Sequence, residues 1–113
     1  MPERGEIWLA DLDPRRGTEP GKTRPVLIVQ AEALLRAEHP ATLVVPLTTH
    51  LIEDAEPLRV RVGRTDELPR DSDALVDQLR AIDNRRLLKR LARPAPGILT
   101  RVDIALREVM DLV

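Results

Sequence analysis

A chain of 113 residues has room for one domain and little more, and 42% hydrophobic residues suffice for one compact core. The absence of cysteine excludes disulfides, zinc thiolate sites and thiol nucleophiles, and it fits a reducing cytoplasm. The net charge is only −1, and a single tryptophan with no phenylalanine or tyrosine excludes a nucleic-acid platform built on base stacking.

The N-terminus, Met-Pro-Glu-Arg-Gly-Glu, is charged and lacks the apolar centre of a signal peptide. No apolar run approaches the roughly 20 residues of a membrane span, so no membrane association is expected. Gly5–Leu12 reads as a strand that is apolar on both faces. It leads into a loop, Pro14–Pro25, that carries Arg15, Arg16, Lys22 and Arg24 against Glu19. Pro25–Gln30 is short and β-branched, a second strand. A short helix is expected over Ala31–Glu38. Thr42–Leu47 is a third strand, and Pro46 implies that it lies at an edge or ends there. Leu58–Val62 alternates, with Leu58, Val60 and Val62 inward and Arg59 and Arg61 outward.

From Ser72 to Leu91 the pattern is ambiguous. Ser72 suits a helix cap, and Leu75, Val76, Leu79 and Ile82 fall at helical spacing, so pattern alone favours one long helix. Beyond Pro94, Pro96 and Gly97, Thr100 and Asp103 form a variant capping box. Val102, Leu106, Val109, Met110 and Val113 then make one apolar stripe of a C-terminal helix. The expected architecture is one domain over 1–113, a small, mostly antiparallel sheet or barrel with two or three helices.

Charge is distributed unevenly. Arg80, Arg85, Arg86, Lys89, Arg90 and Arg93 stand against Asp83 alone. Two basic regions on a nearly neutral chain point to a polyanionic partner. The competing explanation is compositional: 16 arginines against 2 lysines is what a GC-rich genome produces.

The loop invites comparison with a phosphate-binding P-loop. Gly17-Thr-Glu-Pro-Gly21-Lys22-Thr23 has three residues between its glycines where that motif needs four, and a strand follows where it needs a helix. What remains is Arg24, fixed in extended geometry by Pro25. Its planar guanidinium suits a phosphate. An ion pair with Glu19 that pins the loop accounts equally well for these residues. Thr48, at a strand end, can satisfy a backbone group. His39 and His50 are candidate general bases, although surface histidines are the ordinary outcome. Asp11 and Asp13 share a strand face without an evident third ligand, so no metal site is expected. Trp8 reads as core or dimer interface.

Taken together, Arg4–Pro14, Gly17–Val29, Val45–Thr49 and Asp77–Asp83, in this order and spacing, resemble the MazF/PemK family of toxin ribonucleases. The resemblance implies an SH3-like small barrel with a C-terminal helix, shared with the CcdB toxins, and usually a homodimer. It also implies a strand over Leu75–Asp83, with a helix only over Asn84–Leu91. Family members cleave single-stranded RNA, usually mRNA, without a metal or other cofactor, through attack of a ribose 2′-OH on the adjacent phosphorus. By this resemblance Arg24 matches the catalytic arginine and Thr48 the catalytic threonine. Glu19 matches an acidic position that could orient Arg24 or take a proton. Arg15, Arg16, Thr18, Lys22, Thr49, Gln78 and Arg80 are the candidate RNA contacts, and Asp77 belongs to a block that is partly structural. The implied partners are single-stranded RNA and a cognate antitoxin, acidic and partly disordered, that competes for the same charges in the cytoplasm. Two other functions use the same barrel. A CcdB-like topoisomerase poison would not need Arg24 and Thr48 at one phosphate. An SH3-like peptide-binding module would need an aromatic-lined groove.

Overall fold

In the computed structural model, seven strands form one antiparallel sheet with the order β4-β5-β3-β2-β1-β7, and β6 pairs with β3 beside that path. The strands are β1 (Ile7–Asp11), β2 (Thr23–Ile28), β3 (Ala41–Thr48), β4 (Arg59–Val62), β5 (Ser72–Leu75), β6 (Arg80–Asp83) and β7 (Leu87–Ala92). Helix α1 (Glu32–Arg36) follows β2, and α2 (Ile98–Val109) closes the chain. The structure describes every residue except Arg15 and Pro20. No helix is long and apolar enough to cross a membrane among the described residues.

β2 shows why the sheet has two cores. Val26 and Ile28 join one cluster with Ala10, Leu12, Leu35, Val44 and Ile82. Leu27 and Val29 join the other with Ile7, Val45, Val60, Val62 and Val76, which α2 covers with Val102, Ala105 and Leu106. A stretch buried on both faces must be apolar at every position, as residues 26–29 are, from the second half of β2 to one residue past it. Complete burial of a Val, Leu or Ile side chain contributes about 1.5–3 kcal/mol each, so the central strands are the stable part of the molecule.

β3 is central, not an edge, which corrects the expectation drawn from Pro46. Along one side β3 pairs with β2, where Pro46 stands opposite Val26. Along the other it pairs with β6 over Ala41–Val44, then with β5 over Leu47–Thr48. Pro46 falls in the gap between those two partners, where a missing N–H breaks no ladder. β2 begins at Thr23, so Arg24 and Pro25 lie inside the strand rather than ahead of it.

Several further expectations give way. Leu58 is 52% exposed and precedes β4, although Val60 and Val62 point inward as the alternation requires. The 72–91 segment contains no long helix. Ser72 opens β5, a single 3-10 turn spans Val76–Gln78, and β6 takes Arg80–Asp83, so the strand implied for 75–83 holds only in part. Residues 84–91 are not a helix either, because a 3-10 turn over Asn84–Arg86 leads into β7, which pairs with β1. The apolar residues that suggested a helix are needed on sheet faces instead: Val76 in one core and Ile82 in the other. At α2 the N-cap is Gly97 in left-handed geometry (φ 93°), not Thr100, which is the third helical residue. Asp103 pairs with Arg4, whose Nη2 lies 2.6 Å from Oδ1. Of the stripe on α2, Val102 and Leu106 are buried, whereas Met110 is 44% exposed and Val113 lies beyond the helix.

Candidate nucleic-acid groove

The β1–β2 loop is clamped at its base. Leu12 N–H donates to the Lys22 carbonyl at 2.9 Å, and Lys22 N–H donates to Asp13 Oδ1 at 2.5 Å. Lys22 adopts the left-handed conformation (φ 64°), which that carboxylate contact helps to hold. Arg86 adds a brace from the other end of the sequence, donating through Nη1 to the carbonyls of Asp13 (2.6 Å) and Asp11 (3.3 Å). Asp13 N–H donates to Asp11 Oδ1 at 3.0 Å, so both aspartates serve the loop. Among the described residues, no three His, Cys, Asp or Glu side chains gather as metal ligands.

Arg24 and Thr48 meet across the β2–β3 pair. Arg24 Nε donates to the Gly21 carbonyl at 3.0 Å, and Nη1 reaches the Leu47 carbonyl at 3.4 Å. Both partners are neutral, so the guanidinium is aimed while its charge stays uncancelled. Thr48 Oγ1 accepts the His50 N–H at 3.1 Å. That is the backbone-satisfying role a strand-end threonine usually has, yet it uses only a lone pair. The hydroxyl proton remains free for another acceptor.

Two cavities flank this pair. One, of about 310 Å³, is lined by Pro25, Leu47, Thr49, Leu68, Pro69, Arg70 and Ser72 together with Arg24 and Thr48. The other, of about 590 Å³, is lined by Asp13, Thr18, Glu19, Gly21, Lys22, His50 and Leu75, again with Arg24 and Thr48. Arg24 and Thr48 are the residues common to both. A third cavity, of about 350 Å³, continues from Thr18 and Leu75 to Asp77, Gln78, Leu58 and Arg59. The three make one groove with Arg24 and Thr48 at a shared wall.

The candidate RNA contacts divide accordingly. Thr18, Lys22, Thr49 and Gln78 line the groove. Arg16 is exposed on the loop, outside those three cavities, and Arg15 lies outside the described residues. Glu19 does not pair with Arg24: its Oε2 lies 3.5 Å from Arg80 Nη1, so Arg80 reaches the groove through Glu19. This overturns the idea of a Glu19–Arg24 pin, and with it Glu19 as the group that orients Arg24. The rest of the 80–93 block is not one free cationic face. Arg85 pairs with Asp83, and Arg90 with the buried Glu6 at 2.5 Å. Burial works to raise the Glu6 pKa, but the Glu3 N–H, Trp8 and Arg90 together lower it. Trp8 is half-buried, packed on the second core with Nε1 donating to Glu6 at 3.1 Å. His39 contributes its carbonyl to Asn84.

One cluster behind the groove, centred on Asp73, is not legible in the sequence. Asp73, 1% exposed, binds Arg61 Nε at 2.6 Å, Arg59 Nη1 at 3.3 Å and the Ile52 N–H at 3.0 Å. Burial would raise its pKa, but these donors outweigh burial and lower it. The only signal there is two outward arginines in Leu58–Val62 and an acid just ahead of the apolar residues 74–76. The β4–β5 register, Arg61 opposite Asp73, is what joins them.

A family described as "PemK-like, MazF-like toxin of type II toxin-antitoxin system" matches residues 3–110. The chain belongs to that family. Among its relatives is a protein of Mycobacterium tuberculosis named Endoribonuclease MazF9, 36% identical over 99% of this chain and 98% of the relative. Two solved toxins share the MazF fold. M. tuberculosis MazF-mt6 has a TM-score of 0.78 at 24% identity, covering 96% of this chain and 98% of that one. MazF from Deinococcus radiodurans has a TM-score of 0.81 at 21% identity, covering 98% and 97%. The architecture of this MazF-like chain is therefore the SH3-like one with a C-terminal helix.

Proposed function

We propose that this MazF-like toxin is a sequence-specific, metal-independent endoribonuclease, and that it cuts single-stranded RNA, messenger RNA above all, in the groove around Arg24 and Thr48. The observation that carries this reading is that these two side chains form the wall common to both flanking cavities. A phosphodiester laid over that wall has a nucleotide on each side. The ribose 2′-OH attacks the adjacent phosphorus and expels the 5′-oxygen of the next nucleotide, leaving a 2′,3′-cyclic phosphate and a 5′-OH. Negative charge grows on the non-bridging oxygens in the transition state. Arg24, already aimed by two carbonyls, and the free Thr48 hydroxyl proton stabilise it without reorganising. Glu19, with Arg80 Nη1 at 3.5 Å as its ion-pair partner, takes the 2′-OH proton in this scheme, and the departing 5′-oxygen takes a proton from solvent. His50 lines the same cavity and is the competing base. A His50→Asn variant that keeps the full rate leaves Glu19 in that role.

The protein acts as a homodimer in the cytoplasm, where messenger RNA is translated. A cognate antitoxin, acidic and partly disordered, silences it by occupying the groove. The relatives support this partner: one solved neighbour of 24% identity is an endoribonuclease in complex with its cognate antitoxin, and another, from D. radiodurans, is a MazE–MazF complex. The test is to map the 5′ ends of a long RNA after incubation with pure protein in excess EDTA. Discrete cuts at a recurring short motif, with 5′-OH ends, are expected. Activity that disappears in EDTA and returns with magnesium would overturn the metal-free chemistry.

A further inference from the structure

Residues 49–58, between β3 and β4, form part of the groove wall through Thr49, His50 and Leu58. A buried carboxylate holds this segment. Asp73 stands directly opposite Thr48 in the β3–β5 pairing. Its Oδ2 accepts the Ile52 N–H at 3.0 Å and Arg59 Nη1 at 3.3 Å. The same Arg59 Nη1 donates to the His50 carbonyl at 2.8 Å. His50 N–H in turn donates to Thr48 Oγ1 at 3.1 Å. Asp73 Oδ1 engages Arg61, which donates through Nη2 to Glu53 Oε1 at 3.0 Å and so ties down the segment a third time. The path runs from a residue with 1% exposure to the hydroxyl that faces the groove by hydrogen bonds on either side of His50, whose backbone joins its carbonyl to its N–H.

We propose that Asp73 and Arg59 are positioning residues for cleavage: by holding the carbonyl of His50 they fix the backbone of that residue so that its N–H occupies a lone pair of Thr48 and turns the hydroxyl proton toward the scissile phosphate. The proposal rests on the catalytic role of Thr48 given above. Neither residue touches the reacting atoms. With His50 untethered, Thr48 Oγ1 loses its fixed donor and its proton samples other directions. The ground-state hold on RNA is little changed, while the transition state loses a preorganised donor. Direct contact of Arg59 with an RNA phosphate would behave differently, because it would raise KM and change its salt dependence.

Single-turnover cleavage of a short RNA carrying the mapped motif, with enzyme in excess, tests this. The variants are Asp73→Asn, Arg59→Met, Thr48→Ala and the two doubles with Thr48→Ala. Arg59→Met keeps Asp73 paired with Arg61, so it serves if Asp73→Asn fails to fold. The expected result is a fall in the maximal rate of about tenfold in Asp73→Asn and in Arg59→Met, no larger than that of Thr48→Ala and within the range that small misplacement of a group at the site produces. KM should stay within about twofold at each salt concentration, because charge contact with RNA is not what is lost. In the Thr48→Ala background neither change should slow the reaction further, since residues acting through one group are not additive. An unchanged maximal rate in Arg59→Met, or a full multiplicative loss in the doubles, would overturn the proposal. Wild-type cleavage by Thr48→Ala would instead overturn the reading of the site itself.

Discussion

The arginines of this protein are held in two ways. Arg59 and Arg61 share the buried Asp73, Arg90 grips Glu6, and Arg4 grips Asp103. In each case acids offset the charge, with Glu53 on Arg61 as the second acid of the Asp73 cluster. Arg24 is held as firmly, but by the carbonyls of Gly21 and Leu47. A carbonyl orients a guanidinium without neutralising it. A paired arginine is a structural part, whereas a carbonyl-held arginine beside a cavity is charge kept in reserve for a ligand. In a chain so rich in arginine, the acceptor and the cavity together separate function from framework: Arg86 is also held by carbonyls, but it lines none of the groove cavities and braces the loop.

Mutation of the two kinds of arginine tests this contrast most severely. Arg24→Ala should lower the cleavage rate by about a hundred- to thousandfold, the usual worth of one preorganised stabiliser, with the melting temperature nearly unchanged. Arg4→Ala should do the reverse. It should cost about 1–3 kcal/mol of stability, the worth of hydrogen bonds to a charged group, and keep the wild-type rate of cleavage. If Arg4→Ala also abolished cleavage in a folded protein, the distinction between the two modes would fail.

Thr48 and Thr49 provide a sharper comparison, because they are adjacent and chemically identical. Only Thr48 lines both cavities. Thr48→Ala should slow cleavage by about ten- to hundredfold, as loss of one hydrogen bond to a charged group would. Thr49→Ala should fall well short of that in the same single-turnover assay, and equal losses would remove the special role of Thr48.

The paired acids predict how stability depends on pH. Asp73 and Glu6 are ionised and bonded in the fold, with pKa values below the ordinary range. Their contribution is fully present above the unfolded-state values, roughly pH 4, and is lost as pH falls through the lower folded-state values. Thermal melts should be flat from about pH 7 to 5 and fall below about 4. Asp73→Asn should lower stability at neutral pH by about 1.5–3 kcal/mol and make the acid fall shallower. A melt series for that variant parallel to wild type would show that Asp73 is not a stabilising acid. The smallest effect belongs to Asp83, whose pKa Arg85 pulls down to about 2 at an exposed site. Solvent screens that pair, so Asp83→Asn should leave the neutral melting temperature unchanged.

Local pattern sufficed wherever one face or one residue type decided the outcome. The β-branched runs of β2 and β4, the stripe that seats α2, and the extended setting of Arg24 before Pro25 were legible in this way. So were the lack of a stacking platform and the failed P-loop spacing, since both follow from residue counts. The resemblance added the family and the pairing of Arg24 with Thr48, which no local rule contains. What the sequence left open was decided by neighbours distant in the chain. Leu75–Ile82 has the spacing of a helix, but β3 pairs with β5 just before it and with β6 at its end, and strand pairing outweighs the helical pattern. Glu19 lies five residues from Arg24 yet belongs to Arg80, and Asp73 is joined to Arg59 and Arg61 only by the β4–β5 register. Charges in a loop or on a strand find partners through the fold, because an ion pair depends on distance in space and not on distance along the chain.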